Sequence, residues 1–231
     1  MRLSLTIAAL AGFAATYSYA PASHAQTAVR DPEPWESEIQ AFEAADRLHP
    51  PPKGAVLFVG SSTIRMWPGL ETEFRGVPVI QRGFGGTDFR LVNWYAPRIV
   101  LPYKPRLIVV YAGDNDLAAG FAPSYVLGEF KKFVATVRHA LPKTKIAFVS
   151  IKPSPERWAL ADSMRVTNEL IRRYATTVHG VQYVDVFNAM LGPDGLPRKN
   201  LYPADDGLHM NKDGYALWHR LLEPVVRDTT P

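Results

Sequence analysis

The chain has 231 residues, enough for one α/β domain with a sizeable core, and its 47% hydrophobic and 21% charged residues are those of a globular protein. The formal net charge is +4 and the pI is near 9.3, but Lys and Arg are spread along the chain, so no nucleic-acid partner is expected. There is no cysteine, which excludes disulfides, thiolate metal sites and a cysteine nucleophile.

The first 25 residues are typical of a secretory signal peptide. Arg2 precedes the apolar run LSLTIAALAGFAA, and Ser23 and Ala25 supply the small side chains that signal peptidase requires. We predict cleavage after Ala25 and a single mature domain of residues 26–231, exported to the periplasm or the medium. The apolar run is short for a bilayer span, so no stable membrane insertion is expected.

The rest of the chain alternates between helical and strand patterns. Apolar residues at helical spacing predict a first helix over Glu36 to Leu48, which the prolines of HPPPKG end. Five short apolar runs rich in Val and Ile predict buried strands at 55–59, 77–81, 106–111, 145–151 and 181–186. Further helices are predicted over 89–101, 123–141, 159–179 and 212–226.

This alternation predicts an α/β fold, a three-layer α/β/α sandwich around a five-stranded parallel sheet. Open parallel sheets bind ligands beyond the carboxyl ends of their strands. Four polar or glycine-rich segments follow predicted strands: GSS, RGFGG, AGDND and, after a longer excursion, DDGLH. Their convergence on one edge is the main indication of an active site.

Ser62 directly follows the first strand and opens a short helical segment. A hydroxyl at this position can act as a nucleophile, but it can equally cap a helix, and the neighbouring Ser61 leaves the choice open on local grounds.

Asp206 and His209 lie three residues apart around Gly207, which permits a tight turn. Asp206 can accept from imidazole Nδ1–H and leave Nε2 to take the Ser62 proton. A polar surface turn is the alternative interpretation, and Asp205 is the second choice for the orienting carboxylate.

Three groups are candidate donors to an oxyanion: the Ser62 N–H, the Gly86 N–H and the Asn115 side-chain amide. Gly lets its backbone approach a substrate closely, although Gly and Asn are also common turn residues.

These four segments resemble, in order, the four blocks of the SGNH (GDSL) hydrolase superfamily, which includes a bacterial branch similar to platelet-activating-factor acetylhydrolase. Gly60-Ser61-Ser62 matches the first block, Gly86 the second, Gly113 to Asp116 the third, and Asp206 to His209 the last. Ser61 replaces the usual Asp, and Gln81 stands where many relatives have Asn. The resemblance implies a flavodoxin-like sandwich, no metal or other cofactor, and ester hydrolysis through an acyl-enzyme on Ser62.

The substrate is less defined by the sequence. Trp67, Phe84 and Leu208 flank the catalytic segments and are candidate substrate-binding residues. Short-chain acyl or acetyl esters, acetylated sugars and lysophospholipids all fit. Two other functions remain open: a non-catalytic carbohydrate-binding protein that uses aromatics such as Trp94 and Trp158, or a metal-dependent phosphoesterase. The latter would draw its ligands from Asp114, Asp116, Asp205, Asp206 and His209.

Overall fold

The computed structural model describes residues 32–228, and the predicted signal peptide lies outside them. Five parallel strands form one sheet in the order β2-β1-β3-β4-β5. The strands are β1 (Val56–Gly60), β2 (Val79–Gly83), β3 (Leu107–Tyr111), β4 (Lys145–Val149) and β5 (Val181–Val184). The predicted five-stranded parallel sheet is therefore confirmed.

Helices cover both faces of the sheet, as the alternating pattern predicts. The four long predicted helices and the first amphipathic one are all present, together with three short helical turns. They are α1 (Glu33–Leu48), α2 (Ser62–Arg65), α3 (Leu70–Glu73), α4 (Phe89–Ile99), α5 (Asp114–Ala118), α6 (Pro123–Ala140), α7 (Ala161–Thr176) and α8 (Lys212–Arg227).

Element boundaries shift by a few residues for local reasons. The second strand begins at Val79 instead of Val77 because Pro78 has no N–H to donate to a ladder, and it continues to Gly83. The seventh helix begins at Ala161, after a 3₁₀ turn over Trp158–Leu160.

Two apolar cores sandwich the sheet. Side chains of α1, α4, α6 and α7 pack on one face, with Ile39, Phe89, Phe130 and Ile171 among those fully buried. Residues from α2, α3 and α8 pack on the other, including Ile64, Leu70, Trp218 and Leu222. Because helices cover both faces, the sandwich is open at the ends of its strands. The predicted site segments follow β1, β2 and β3 at the carboxyl edge of the sheet. Within residues 32–228, no helix combines the length and hydropathy needed to cross a bilayer.

Candidate active site

The turn after β1 places Ser62 at the carboxyl edge of the sheet. Gly60 has a φ of 145°, and a Cβ there would lie 1.9 Å from the carbonyl oxygen of Tyr111, so the strand end requires glycine. The Ser61 N–H then donates to the same Tyr111 carbonyl at 3.1 Å. This fixes the start of α2 against β3 and turns the next residue, Ser62, out of the sheet.

The Ser62 hydroxyl contacts an imidazole rather than capping its own helix. Ser62 Oγ lies 2.9 Å from His209 Nε2, across 147 residues of sequence. Ser61 occupies the N-cap position of α2, where its side chain makes no capping hydrogen bond. The Ser62 hydroxyl therefore faces His209, and no side-chain hydrogen bond caps α2.

The other imidazole nitrogen contacts Asp206. His209 Nδ1 lies 2.7 Å from Asp206 Oδ2, and Asp206 Oδ1 accepts from the backbone N–H groups of Leu208 at 2.8 Å and His209 at 3.0 Å. Both Asp206 oxygens are thus engaged within one turn. Asp205 is exposed and lies outside this arrangement.

Hydrogen bonding keeps Asp206 in its ionised form. Partial burial by itself raises the pKa of Asp206, but the backbone N–H of His209, its imidazole and the N–H of Leu208 outweigh it and leave the pKa below the ordinary value. An ionised carboxylate on Nδ1 favours the tautomer in which Nε2 faces Ser62 as an acceptor. Asn211 then caps α8 by accepting from Asp213 N at 2.9 Å and Gly214 N at 3.1 Å.

The segments after β2 and β3 meet through Asn115. Its Nδ2 donates to the carbonyl of Thr87 at 2.8 Å, which joins the start of α5 to the loop that carries Gly86. Gly86 has a φ of 66° and is exposed, so it sits in the left-handed conformation that glycine adopts readily. The Asn115 side chain is therefore bonded to the residue that follows Gly86.

A fifth segment, after β4, reaches the same edge and was not singled out from the sequence. Arg157 Nη2 donates to Asn115 Oδ1 at 3.0 Å, and Arg157 Nη1 lies 2.8 Å from Asp114 Oδ1. Lys152, fully buried, places Nζ 3.6 Å from Asp114 Oδ2. Burial lowers the pKa of Lys152, and Asp114 opposes that effect. The sequence signal that could have indicated this segment is the position of Lys152 and Arg157 in a loop with two prolines, directly after a buried strand.

With this geometry in place, the comparison with known proteins is decisive, because residues 59–217 match the GDSL-like lipase/acylhydrolase family. The chain belongs to this family. The match begins at the end of β1 and ends within α8, so it includes all four segments that resemble the GDSL blocks. This GDSL protein is accordingly a hydrolase of carboxylic esters.

Individual relatives agree with that assignment. A GDSL esterase/lipase, WDL1, of Oryza sativa subsp. japonica is 25% identical over 210 residues, covering 77% of this chain and 78% of the relative. A solved Streptococcus pneumonia protein named after platelet activating factor superposes with a TM-score of 0.73 at 22% identity, covering 84% and 95% of the two chains. A GDSL-like lipase from Bacteroides thetaiotaomicron gives 0.69 at 20% identity, covering 82% and 97%.

Two of the three candidate substrate-binding residues belong to the core of this GDSL hydrolase. Trp67 is 2% exposed and packs among Phe58, Tyr215 and Trp218, with ring centroids 5.1–6.1 Å apart. Phe84 has no exposed surface and meets Tyr95 edge to face. The expectation that these two rings line an acyl pocket is corrected, because substrate cannot reach enclosed side chains. Leu208 is half-buried beside His209 and stays a candidate.

Three of the four aspartates considered as metal ligands contact other groups of the protein. Asp114 pairs with Arg157 and Lys152, and both oxygens of Asp116 lie 3.1 Å from the Phe89 N–H. Asp206 Oδ2 lies 2.7 Å from His209 Nδ1. Among the described residues, no three acidic or His side chains are grouped as a metal ion would require.

Proposed function

We propose that this GDSL hydrolase is a serine esterase that works through an acyl-enzyme on Ser62. The observation that carries the proposal is the continuous chain from Ser62 Oγ to His209 Nε2, at 2.9 Å, and from His209 Nδ1 to Asp206, at 2.7 Å. Nucleophile, base and orienting carboxylate stand in the order that nucleophilic ester cleavage needs.

In the proposed reaction, His209 Nε2 takes the Ser62 proton as Oγ bonds to the ester carbonyl carbon. The Ser62 N–H, the Gly86 N–H and the Asn115 amide donate to the developing oxyanion. Protonated His209 then gives its proton to the departing alcohol. Water, deprotonated by His209, attacks the acyl-enzyme, and the carboxylic acid leaves as Ser62 recovers its proton.

The substrates that we propose are short-chain acyl or acetyl esters, with acetylated sugars and lysophospholipids as alternatives. The enclosure of Trp67 and Phe84 in the core supports the smaller acyl groups, because neither ring is available to line a longer pocket. Hydrolysis rates for acyl chains from acetyl to palmitoyl, and for acetylated xylan, distinguish these substrates.

Substitutions in the triad test the mechanism. We expect Ser62→Ala and His209→Ala to lower kcat on p-nitrophenyl acetate by about a thousandfold or more. Asp206→Asn should lose a large part of that rate because the neutral amide no longer fixes the imidazole. Its matched control is Asp205→Asn, the adjacent exposed carboxylate, which should keep nearly full activity.

Labelling with a fluorophosphonate probe provides a second readout. Wild type should be labelled and Ser62→Ala should not. A purified, folded Ser62→Ala protein that retains substantial esterase activity would overturn the nucleophile assignment.

We also propose that the chain is exported, on the strength of the signal-peptide pattern before residue 26. Expression of the full chain in a bacterial host should yield a mature protein in the periplasm or medium. Its intact mass should be that of a chain that begins at Gln26. Recovery of only the full-length mass from the cytoplasm would contradict the proposal.

A further inference from the structure

We infer that Arg157 is a positioning residue that sets the orientation of the Asn115 amide in the oxyanion site. The inference rests on the proposed function, since it concerns one of the donors of that reaction. Nothing in the sequence pattern of the four GDSL segments includes Arg157, which lies 42 residues beyond Asn115 and follows a different strand.

The contacts of Asn115 leave its amide one orientation. Arg157 offers only donors, so the atom 3.0 Å from its Nη2 must be the amide oxygen. The Thr87 carbonyl offers only an acceptor, so the atom 2.8 Å from it must be the amide nitrogen. A primary amide has two N–H groups, and once Thr87 takes one, the geometry of the sp² nitrogen sets the direction of the other.

Arg157 also strengthens Asn115 as a donor. A guanidinium that donates to the amide oxygen draws electron density from the nitrogen, because hydrogen bonds in a chain polarise one another. The N–H groups on Nδ2 become better donors to an oxyanion. The guanidinium charge lies two hydrogen bonds from the reacting oxygen, through Asn115, and it also stabilises the negative charge that develops on that oxygen.

Arg157 is held in turn by the surrounding structure. Arg157 Nη1 forms an ion pair with Asp114 Oδ1 at 2.8 Å, and Asp114 in turn pairs with the fully buried Lys152 at 3.6 Å. The segment that carries it is tied to the catalytic turn by a hydrogen bond from Glu156 N to Gly207 O at 3.2 Å. Upstream, the Asn168 side chain binds both the N–H and the carbonyl of Ile151, at 2.8 and 2.9 Å.

The test measures kcat and KM separately for Arg157→Met on p-nitrophenyl acetate. We expect kcat to fall by about 10- to 100-fold with KM changed by no more than about twofold, because the lost contact acts on the transition state. The matched control is Arg165→Met, a nearby arginine that stacks on Trp158 and Phe187 and should keep wild-type kcat.

A double-mutant cycle shows whether Arg157 acts through Asn115. In an Asn115→Ala background, Arg157→Met should add almost no further loss of kcat. If the two losses multiply instead, or if the effect appears in KM alone, the inference is wrong. Wild-type kcat in folded Arg157→Met would also overturn it.

A conservative variant covers the case in which Arg157→Met fails to fold. Arg157→Lys keeps a cation beside Asp114 but has no second, parallel donor for Asn115, so it should keep its melting temperature and recover only part of kcat. Full wild-type kcat in Arg157→Lys would show that the guanidinium fork has no positioning role. If Ser62→Ala is inactive while Arg157→Met and Arg157→Lys have wild-type kcat, only this inference is rejected. If Ser62→Ala is active, the proposed function itself is rejected.

Discussion

At the scale of single residues, Asp116 shows how a buried carboxylate beside the site responds to pH. Its side chain is fully enclosed, and both oxygens face the Phe89 N–H at 3.1 Å. Burial, followed by the charge of Asp88, raises the pKa of Asp116 to about 7 against an ordinary 3.8. The folded protein therefore holds this proton more tightly than the unfolded chain does.

The sign of the resulting stability change follows from linkage. Below about pH 4 the carboxyl is protonated in both states, while between pH 4 and 7 only the folded state retains the proton. The free energy of unfolding therefore falls as pH rises through that window. Asp116→Asn keeps an acceptor for Phe89 and removes the ionisation, so at pH 8 it should stabilise the fold by on the order of 3 kcal/mol.

Thermal melts at pH 4 and pH 8 check this prediction. The gain in melting temperature of Asp116→Asn over wild type should be large at pH 8 and nearly absent at pH 4. Asp162→Asn, whose side chain is 99% exposed, is the control and should shift neither melt appreciably. An equal gain at both pH values would mean that the carboxyl does not titrate in this window.

At the scale of elements, the helix that begins with Ser62 depends on its neighbouring strand. Gln81 of β2 donates through Nε2 to the carbonyl of Ile64 at 2.6 Å and lies 3.3 Å from those of Arg65 and Trp67. Ile64 and Arg65 form the last turn of α2, and Trp67 lies two residues beyond its end, so the Gln81 side chain holds the C-terminal end of this short helix against β2. Gln81, which stands where many relatives have Asn, thus has a structural role next to Ser62.

Much of this arrangement was predictable from periodicity and turn chemistry. The continuous Val- and Ile-rich runs predict buried parallel strands, and parallel strands bring their carboxyl ends to one edge. That is why Ser62, Asn115 and His209 could be grouped from sequence alone. The local turn at Gly207 likewise predicts the closeness of Asp206 and His209, since only three residues separate them.

What the sequence left undetermined depends on packing over long separations. Whether the ring of Trp67 faces solvent or core is set by how α2 lies on α8, and no local pattern encodes that. The Arg157–Asn115 contact depends on the path of the loop after β4, which two prolines shape and tertiary hydrogen bonds hold. Such contacts depend on the order of the strands in the sheet, which no local pattern specifies.

At the scale of the whole molecule, α1 is part of the site's support although it precedes the family match at residues 59–217. Its Trp35 indole donates to the carbonyl of Gly85, and Glu38 Oε2 lies 3.4 Å from the Gly85 N–H. Glu36 and Glu43 of α1 also pair with Arg98 of α4. Helix α1 therefore binds both the N–H and the carbonyl of Gly85, the residue before Gly86, and is anchored to α4.

The hydrogen bond from Trp35 to the Gly85 carbonyl predicts that a conservative change in α1 alters catalysis. Trp35→Phe removes the indole N–H while keeping most of the ring's packing, so the Gly85–Gly86 peptide loses its tether and becomes less ordered. We expect kcat on p-nitrophenyl acetate to fall by about 3- to 10-fold, because imprecise donors stabilise an oxyanion less well. The matched control is Trp94→Phe, a tryptophan on α4 that is 63% exposed, and its kcat should equal that of wild type. Equal kcat values for the two variants would show that α1 supports the fold without influencing the oxyanion loop.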